Sequence, residues 1–171
     1  MFDASKFDLD LWKETEELVE VHAIMVKEGL IDACFPGDKN MGKLFTFYSV
    51  MADRKLNHVY ICRYHGEMVG IAWVNRWEGF CARINFCSFS TGRAIVVPGI
   101  QESAMRIIQA KDEQDEFVYD TLLGYIKGDN RLSQKIARKC GFVHVGTIPL
   151  YYRFPNNNNS VEIYKLTREI S

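Results

Sequence analysis

The sequence predicts one α/β domain over residues 1–171, an α+β mixed sheet in which an antiparallel meander is followed by two crossover helices. Three observations lead there. Apolar residues recur at helical spacing near the start, three strand signals then follow one another across short turns, and the last half alternates helix and strand. A chain of this length buries roughly 70% of the surface its unfolded form exposes, enough for a real core.

The first helix is expected from Leu11 to Leu30. Leu11, Leu18, Val21, Ile24 and Met25 mark its apolar stripe, Glu14, Glu16, Glu17 and Glu20 sit where the helix dipole favours anions, and Gly29 closes it. A second helix is expected from about Met41 to Ala52, after a loop carrying Pro36 and Gly37. Strands His58–Tyr64 and Glu67–Arg76 flank His65-Gly66, a two-residue hairpin turn, and Cys81–Ser90 follows a turn at Glu78-Gly79.

A loop of small residues then leads through Pro98-Gly99 to a helix from about Ile100 to Ala110, with Ala104, Ile107 and Ile108 facing inward. The charged stretch Lys111–Glu116 gives way to an apolar strand, Phe117–Ile126. Asp129-Asn130 caps a last helix with Leu132, Ile136 and Cys140 on its apolar face and Gly141 at its end. Phe142–Phe154 and Val161–Thr167 complete the sheet around the loop Pro155–Asn159.

Composition removes several functions. With 21 Lys+Arg against 22 Asp+Glu the net charge is -1, so no global field attracts nucleic acid or an anionic membrane. The start, Met1-Phe2-Asp3-Ala4-Ser5-Lys6, lacks a signal peptide's basic and apolar segments, and no run is long enough to span a bilayer. A cytoplasmic location is expected. The five cysteines form no C-x-x-C pair and read as reduced thiols. His22, His58, His65 and His144 have no metal-ligand spacing, so no metal is expected; there is no G-x-S-x-G elbow and no glycine triplet for a dinucleotide. Arg131, Lys135, Arg138 and Lys139 share one helix, and read either as a solvated face near a helix C-terminus or as a holder of nucleotide phosphates.

The segment Asn130-Arg-Leu-Ser-Gln-Lys-Ile-Ala-Arg-Lys-Cys-Gly141-Phe142-Val-His-Val-Gly146-Thr-Ile-Pro149 carries the most information. An Asn opening a helix, then Gly-Phe, then a strand with its own Gly resembles the C-terminal half of the GNAT acetyltransferase superfamily. The order of elements is similar from Leu11 to Thr167. The resemblance implies a GNAT-like acyl-CoA N-acyltransferase fold whose sheet splays between the strands mapped to Cys81–Ser90 and Phe117–Ile126. Acyl-CoA, acetyl-CoA in the simplest case, would lie in the gap, bonded by unpaired backbone groups. It further implies cofactor contacts at Phe89, Ser90 and Thr91, at Gly99 and at Asn130, with an amine as acceptor.

The chain departs from that pattern twice. The family's pyrophosphate loop, R/Q-x-x-G-x-G/A, corresponds here to Val96-Val97-Pro98-Gly99-Ile100-Gln101, which keeps one glycine and loses a donor at Pro98. The Tyr that protonates the departing thiolate in many members corresponds to Ala137. Tyr125 can reach the same gap and is the candidate acid; a core or rim aromatic is the other reading. No acid lies within Cys81–Ser90 to act as base, and a water relay from Asp120 or Glu67 has no support from spacing.

Two functions follow. One is an N-acyltransferase moving an acyl group from CoA to an amine. The other is a catalytically silent member that acts in assembly or binds a protein partner, as in the divergent GNAT-like proteins of tailed phages; such a chain would sit in the host cytoplasm or the virion. A nucleic-acid binder built on the basic helix is the third. Phe35, Phe45, Phe47 and Tyr48 either line an acceptor pocket or pack helices on the sheet, and an exposed cluster of Trp73, Trp77 and Phe80 would mark a protein partner.

Overall fold

The computed structural model describes residues 1–13, 15–34, 51, 57–149 and 160–168. Strands are β1 (Phe7–Leu11), β2 (Asn57–Tyr64), β3 (Glu67–Glu78), β4 (Cys81–Ser88), β5 (Thr121–Lys127), β6 (Val143–Ile148) and β7 (Val161–Thr167). Helices are α1 (Thr15–Lys27), α2 (Ile31–Cys34), α3 (Val96–Ile108) and α4 (Arg131–Lys139), with 3-10 turns at Ala4–Lys6 and Ser90–Ile95. The hydrogen-bonded order is β1-β2-β3-β4-β5-β7-β6. β4 and β5 run parallel, whereas β1–β2, β2–β3, β5–β7 and β6–β7 are antiparallel. This is the predicted mixed α/β fold.

The chain forms two compact units, Met1–Arg76 with Phe86–Gly99, and Trp77–Asn85 with Ile100–Ser171. In the first, α1 turns Leu18, Val21 and Met25 into a core shared with Trp12, Ile31, Met51, Val59, Ile61, Ile71, Trp73, Cys87 and Phe89. Those α1 positions recur at three and four residues, so burial of one stripe, and not propensity alone, holds the helix. Gly29 (φ 68°) ends it in the left-handed conformation that a glycine adopts without a Cβ penalty. The β2–β3 turn has positive φ at both His65 and Gly66, the primed turn that matches strand twist.

In the second unit Ala104, Ile107 and Ile108 of α3 are buried, together with Tyr119, Leu122, Cys140, Phe142, Val161 and Tyr164. β5 pairs with β7 along its whole length, from Thr121↔Thr167 to Lys127↔Val161.

Four expectations need correction. Leu11 belongs to β1, opposite Tyr60, and not to the first helix; the period of two in Phe7-Asp-Leu-Asp-Leu11 wins because β2 offers an edge to pair with. The strand expected from Phe117 begins at Thr121: Val118 N–H bonds to Ala110 O and the Asp120 and Thr121 N–H groups both bond to Phe80 O, so the approach is tied locally. α3 starts at Val96 rather than Ile100, because Pro98 is tolerated in a helix's first turn. Leu132 is 69% exposed, and Gln134 takes the buried place on α4 instead. The helix expected over 41–52 falls outside the described residues apart from Met51, as do Phe35, Phe45, Phe47 and Tyr48.

Close backbone approach fixes the end of β4. Phe89 N–H bonds to Val69 O at 2.9 Å, and a Cβ at Gly92 would collide with that same carbonyl. Gly92→Ala is therefore expected to destabilise the fold by about 1–3 kcal/mol, read as a lower urea midpoint with an unchanged denaturant slope.

Candidate functional site

The site is built from the way two parallel strands stop pairing. β4 and β5 share three pairs, Cys81↔Thr121, Ala82↔Leu122 and Arg83↔Leu123. β4 then runs on to Ser88 and β5 to Lys127 without a further pair between them. Beyond Leu123, the backbone groups of β5 that do not face β7 therefore have no ladder partner in β4.

Alternation places Cys81, Arg83 and Asn85 on one face of β4, and the register carries Leu123, Tyr125, Ile163 and Lys165 onto the same face. Tyr125 is half-buried, and the Arg83 guanidinium lies over its ring, 4.8 Å from the centroid. The opposite face carries Leu122 and Tyr164. There Arg138 of α4 donates to the Tyr164 hydroxyl at 2.8 Å, so this member of the basic helix holds α4 to the sheet.

Asn130 is exposed and caps α4: its side-chain oxygen accepts from Ser133 N–H at 3.0 Å. Gln134, 3% exposed, donates its amide to Gly128 O at 3.0 Å and fixes the corner between β5 and α4. Sequence reasoning missed Gln134; a polar residue at the inward spacing of a capped helix was the available signal. Ala137, where the resemblance expects a tyrosine, is half-buried, and its carbonyl accepts from Cys140 and Phe142.

In the first unit, Phe89 is 1% exposed. The Ser90 N–H and hydroxyl bond to the Glu28 carboxylate, and the Thr91 hydroxyl donates to Met68 O at 2.8 Å. Gly99 is buried in the first turn of α3, where a Cβ would touch the Phe7 ring. Val96–Gln101 is thus helical, and the turn Ser90–Ile95 precedes it. Phe89, Ser90 and Thr91 lie together at the end of β4, and Tyr125 and Asn130 flank the end of β5.

The remaining candidates pack or pair. Burial pushes the Cys140 thiol up to about 11, and the hydrogen bond that Cys87 donates to Cys34, together with burial, raises that of Cys87, so both stay neutral near pH 7. Asp120 pairs with Arg168 at 2.5 Å. Trp73 is buried and Phe80 is 60% exposed; the Trp77 side chain is outside the described residues. Among the described residues no three His, Cys, Asp or Glu side chains are grouped to hold a metal ion, and no helix is long and apolar enough to cross a membrane.

Loss of the Asn130 cap should cost about 1 kcal/mol. Asn130→Ala is expected to lower the thermal midpoint, with Asn130→Ser recovering most of it; an unchanged midpoint in Asn130→Ala would show that the cap contributes nothing.

No protein-family model and no curated protein matches the sequence. Solved structures do. The Salmonella typhimurium acetyl transferase that modifies the N-terminal serine of ribosomal protein L7/L12 matches with TM-score 0.76 and 15% identity, over 96% of both chains. Spermidine N-acetyltransferase from Vibrio cholerae, solved with CoA and spermine, matches with TM-score 0.71 and 11% identity, over 95% of this chain and 96% of that one. The microcin C7 self-immunity acetyltransferase MccE, solved with acetyl-CoA and AMP, gives TM-score 0.68 and 15% identity over 95% and 93%. At these identities the likeness is one of architecture: the chain has the GNAT-like fold of these acetyltransferases.

Proposed function

We propose that this chain is an acyl-CoA-dependent N-acyltransferase, passing an acyl group from the CoA thioester to an amine. The observation that carries the reading is the early end of the β4–β5 ladder at Arg83↔Leu123, with both strands continuing past it. An amide-bearing arm such as pantetheine satisfies a strand edge left without a neighbour, as an added strand does. The GNAT-like fold supports the same ligand.

Bound acetyl-CoA would supply an activated acyl group as its thioester. On this reading the C-terminal half of β5 bonds the arm, and the resemblance gives the nucleotide end to the loop that corresponds to Val96–Gln101. Pro98 offers no N–H there, which weakens phosphate binding. Within the first unit the Phe89 amide, the Ser90 amide and hydroxyl and the Thr91 hydroxyl are engaged by Val69, Glu28 and Met68. Asn130 sets the start of α4 beside the end of β5.

Tyr125 is the proton donor in this proposal: its phenol gives a proton to the departing thiolate in place of the missing residue at Ala137. Among the described residues of β4, β5 and β7 no carboxylate alternates onto the face of Arg83 and Tyr125, so in this proposal the acceptor ammonium loses its proton to water before attack.

A second reading, a silent GNAT-like protein in a cytoplasmic or virion assembly, draws support from β6. It ends the strand order and leaves Val143 63%, Val145 50% and Ile148 36% exposed.

One titration separates the two. At a free acetyl-CoA concentration 100 times its Kd, native-state binding adds about 2.7 kcal/mol, and the thermal midpoint should rise by several degrees in a concentration-dependent way. No rise at millimolar acetyl-CoA would remove the acyltransferase reading and favour the assembly one, in which the protein co-purifies with a larger particle.

A further inference from the structure

Five other cations of Arg83's unit have a described acceptor. Arg168 pairs with Asp120, Lys127 with Asp129, Lys111 with Asp115 and Arg106 with Glu102. Arg138 has the Tyr164 hydroxyl. Arg83 is half-buried, its Nε is shielded from solvent without a hydrogen-bond partner, and its one described interaction is the Tyr125 ring. A guanidinium drawn partly out of water without an acceptor forgoes strong hydrogen bonds that burial would otherwise reward. Stacking on an aromatic plane holds the fork in one orientation and leaves its N–H edge for a ligand.

A second cation shares the face of Arg83. Lys165 sits opposite Leu123 on the same face, and no Asp or Glu among the described residues of β4, β5 and β7 alternates onto it. Of the neighbouring acids, Asp120 is taken by Arg168, Glu162 accepts from Thr147 and meets His144, and Glu78 at the exposed end of β3 acts on Cys81. Arg83 and Lys165 are thus the charged residues that β4, β5 and β7 place on this face, and Arg83 occupies the last β4–β5 pair, where the strands cease to bond.

We propose that Arg83, braced on Tyr125, recognises a carboxylate carried by the amine acceptor. The assignment rests on the acyltransferase reading and narrows it: the acceptor is an amino-acid-like or acidic amine, and a polyamine, which would bring positive charge to Arg83 and Lys165, is disfavoured. A bidentate carboxylate–guanidinium pair supplies planar selectivity that Lys at the same position would not reproduce.

The test follows the Arg83 Nε–H resonance of the whole protein by two-dimensional NMR, assigned by its loss in Arg83→Gln, during titration with benzoate and separately with benzylammonium. Benzoate is expected to shift the resonance saturably and benzylammonium to leave it unmoved. Arg83→Lys should weaken benzoate binding about tenfold or more. The titration is then repeated with the protein saturated in CoA. An undiminished response assigns the oxyanion site to the acceptor, whereas competition by CoA would give Arg83 to the cofactor's phosphates and overturn the proposal.

Absence of a saturable benzoate shift, or equal benzoate binding by a folded Arg83→Gln, would also overturn it. A thermal response to acetyl-CoA alongside either result leaves the acyltransferase reading standing without this acceptor assignment. A benzoate site in a protein that does not respond to acetyl-CoA removes the acyltransferase reading and with it the acceptor role. Where both ligands bind, phenylalanine should be acetylated with a kcat/KM at least about tenfold above phenethylamine, and equal values or a preference for the bare amine would contradict the proposal.

Discussion

The chemistry proposed for this chain depends on two adjacent parallel strands that stop pairing after three residue pairs. β5 is paired with β7 over its full length, from Thr121 to Lys127. The end of β4 follows β3: Phe89 N–H bonds to Val69 O, and Gly70 and Gly92 have no side chain where the Cys87 and Val69 carbonyls approach. Parallel pairing of β4 with β5 stops at Arg83↔Leu123, and beyond it the β5 edge away from β7 has no strand partner. The cost of leaving strand-edge amides without a ladder is real, and a ligand carrying amides of its own offsets it.

The elements around that point are held by polar contacts as much as by apolar ones. Gln134 ties α4 to the Gly128 carbonyl, Asn130 caps the helix, and Arg138 reaches the buried Tyr164 through its hydroxyl. Each anchors the helix that follows β5. A residue such as Asn130 can accordingly matter to folding and to ligand geometry at once, and loss of activity on its substitution does not by itself identify a cofactor contact.

Much of the architecture was legible because short-range chemistry dictates it. Positive φ at His65, Gly66 and Gly29 is what the turn and helix-end patterns demand, and Val161–Thr167 emerges with the expected bounds. β1 escaped because Leu11 fits a helical stripe as well as a strand, and only β2 as a partner decides between them. Gln134 escaped because its burial comes from a carbonyl in the preceding turn, which hydrophobic periodicity does not register. Ser90–Thr91 and Asn130 were singled out because glycine, proline and capping residues punctuate the chain there, and the structure places them at the end of β4 and the start of α4. Arg83 was not, since an arginine in an alternating strand looks solvated until the strand parting places Tyr125 beneath it.

Hydrogen exchange along β5 tests the central claim most directly. Amides in Gly124–Lys127 that face away from β7 should exchange faster than their β7-bonded neighbours in the free protein and become protected on saturation with CoA. Uniform protection along the strand without ligand, or exchange that millimolar CoA leaves unchanged, would contradict the account.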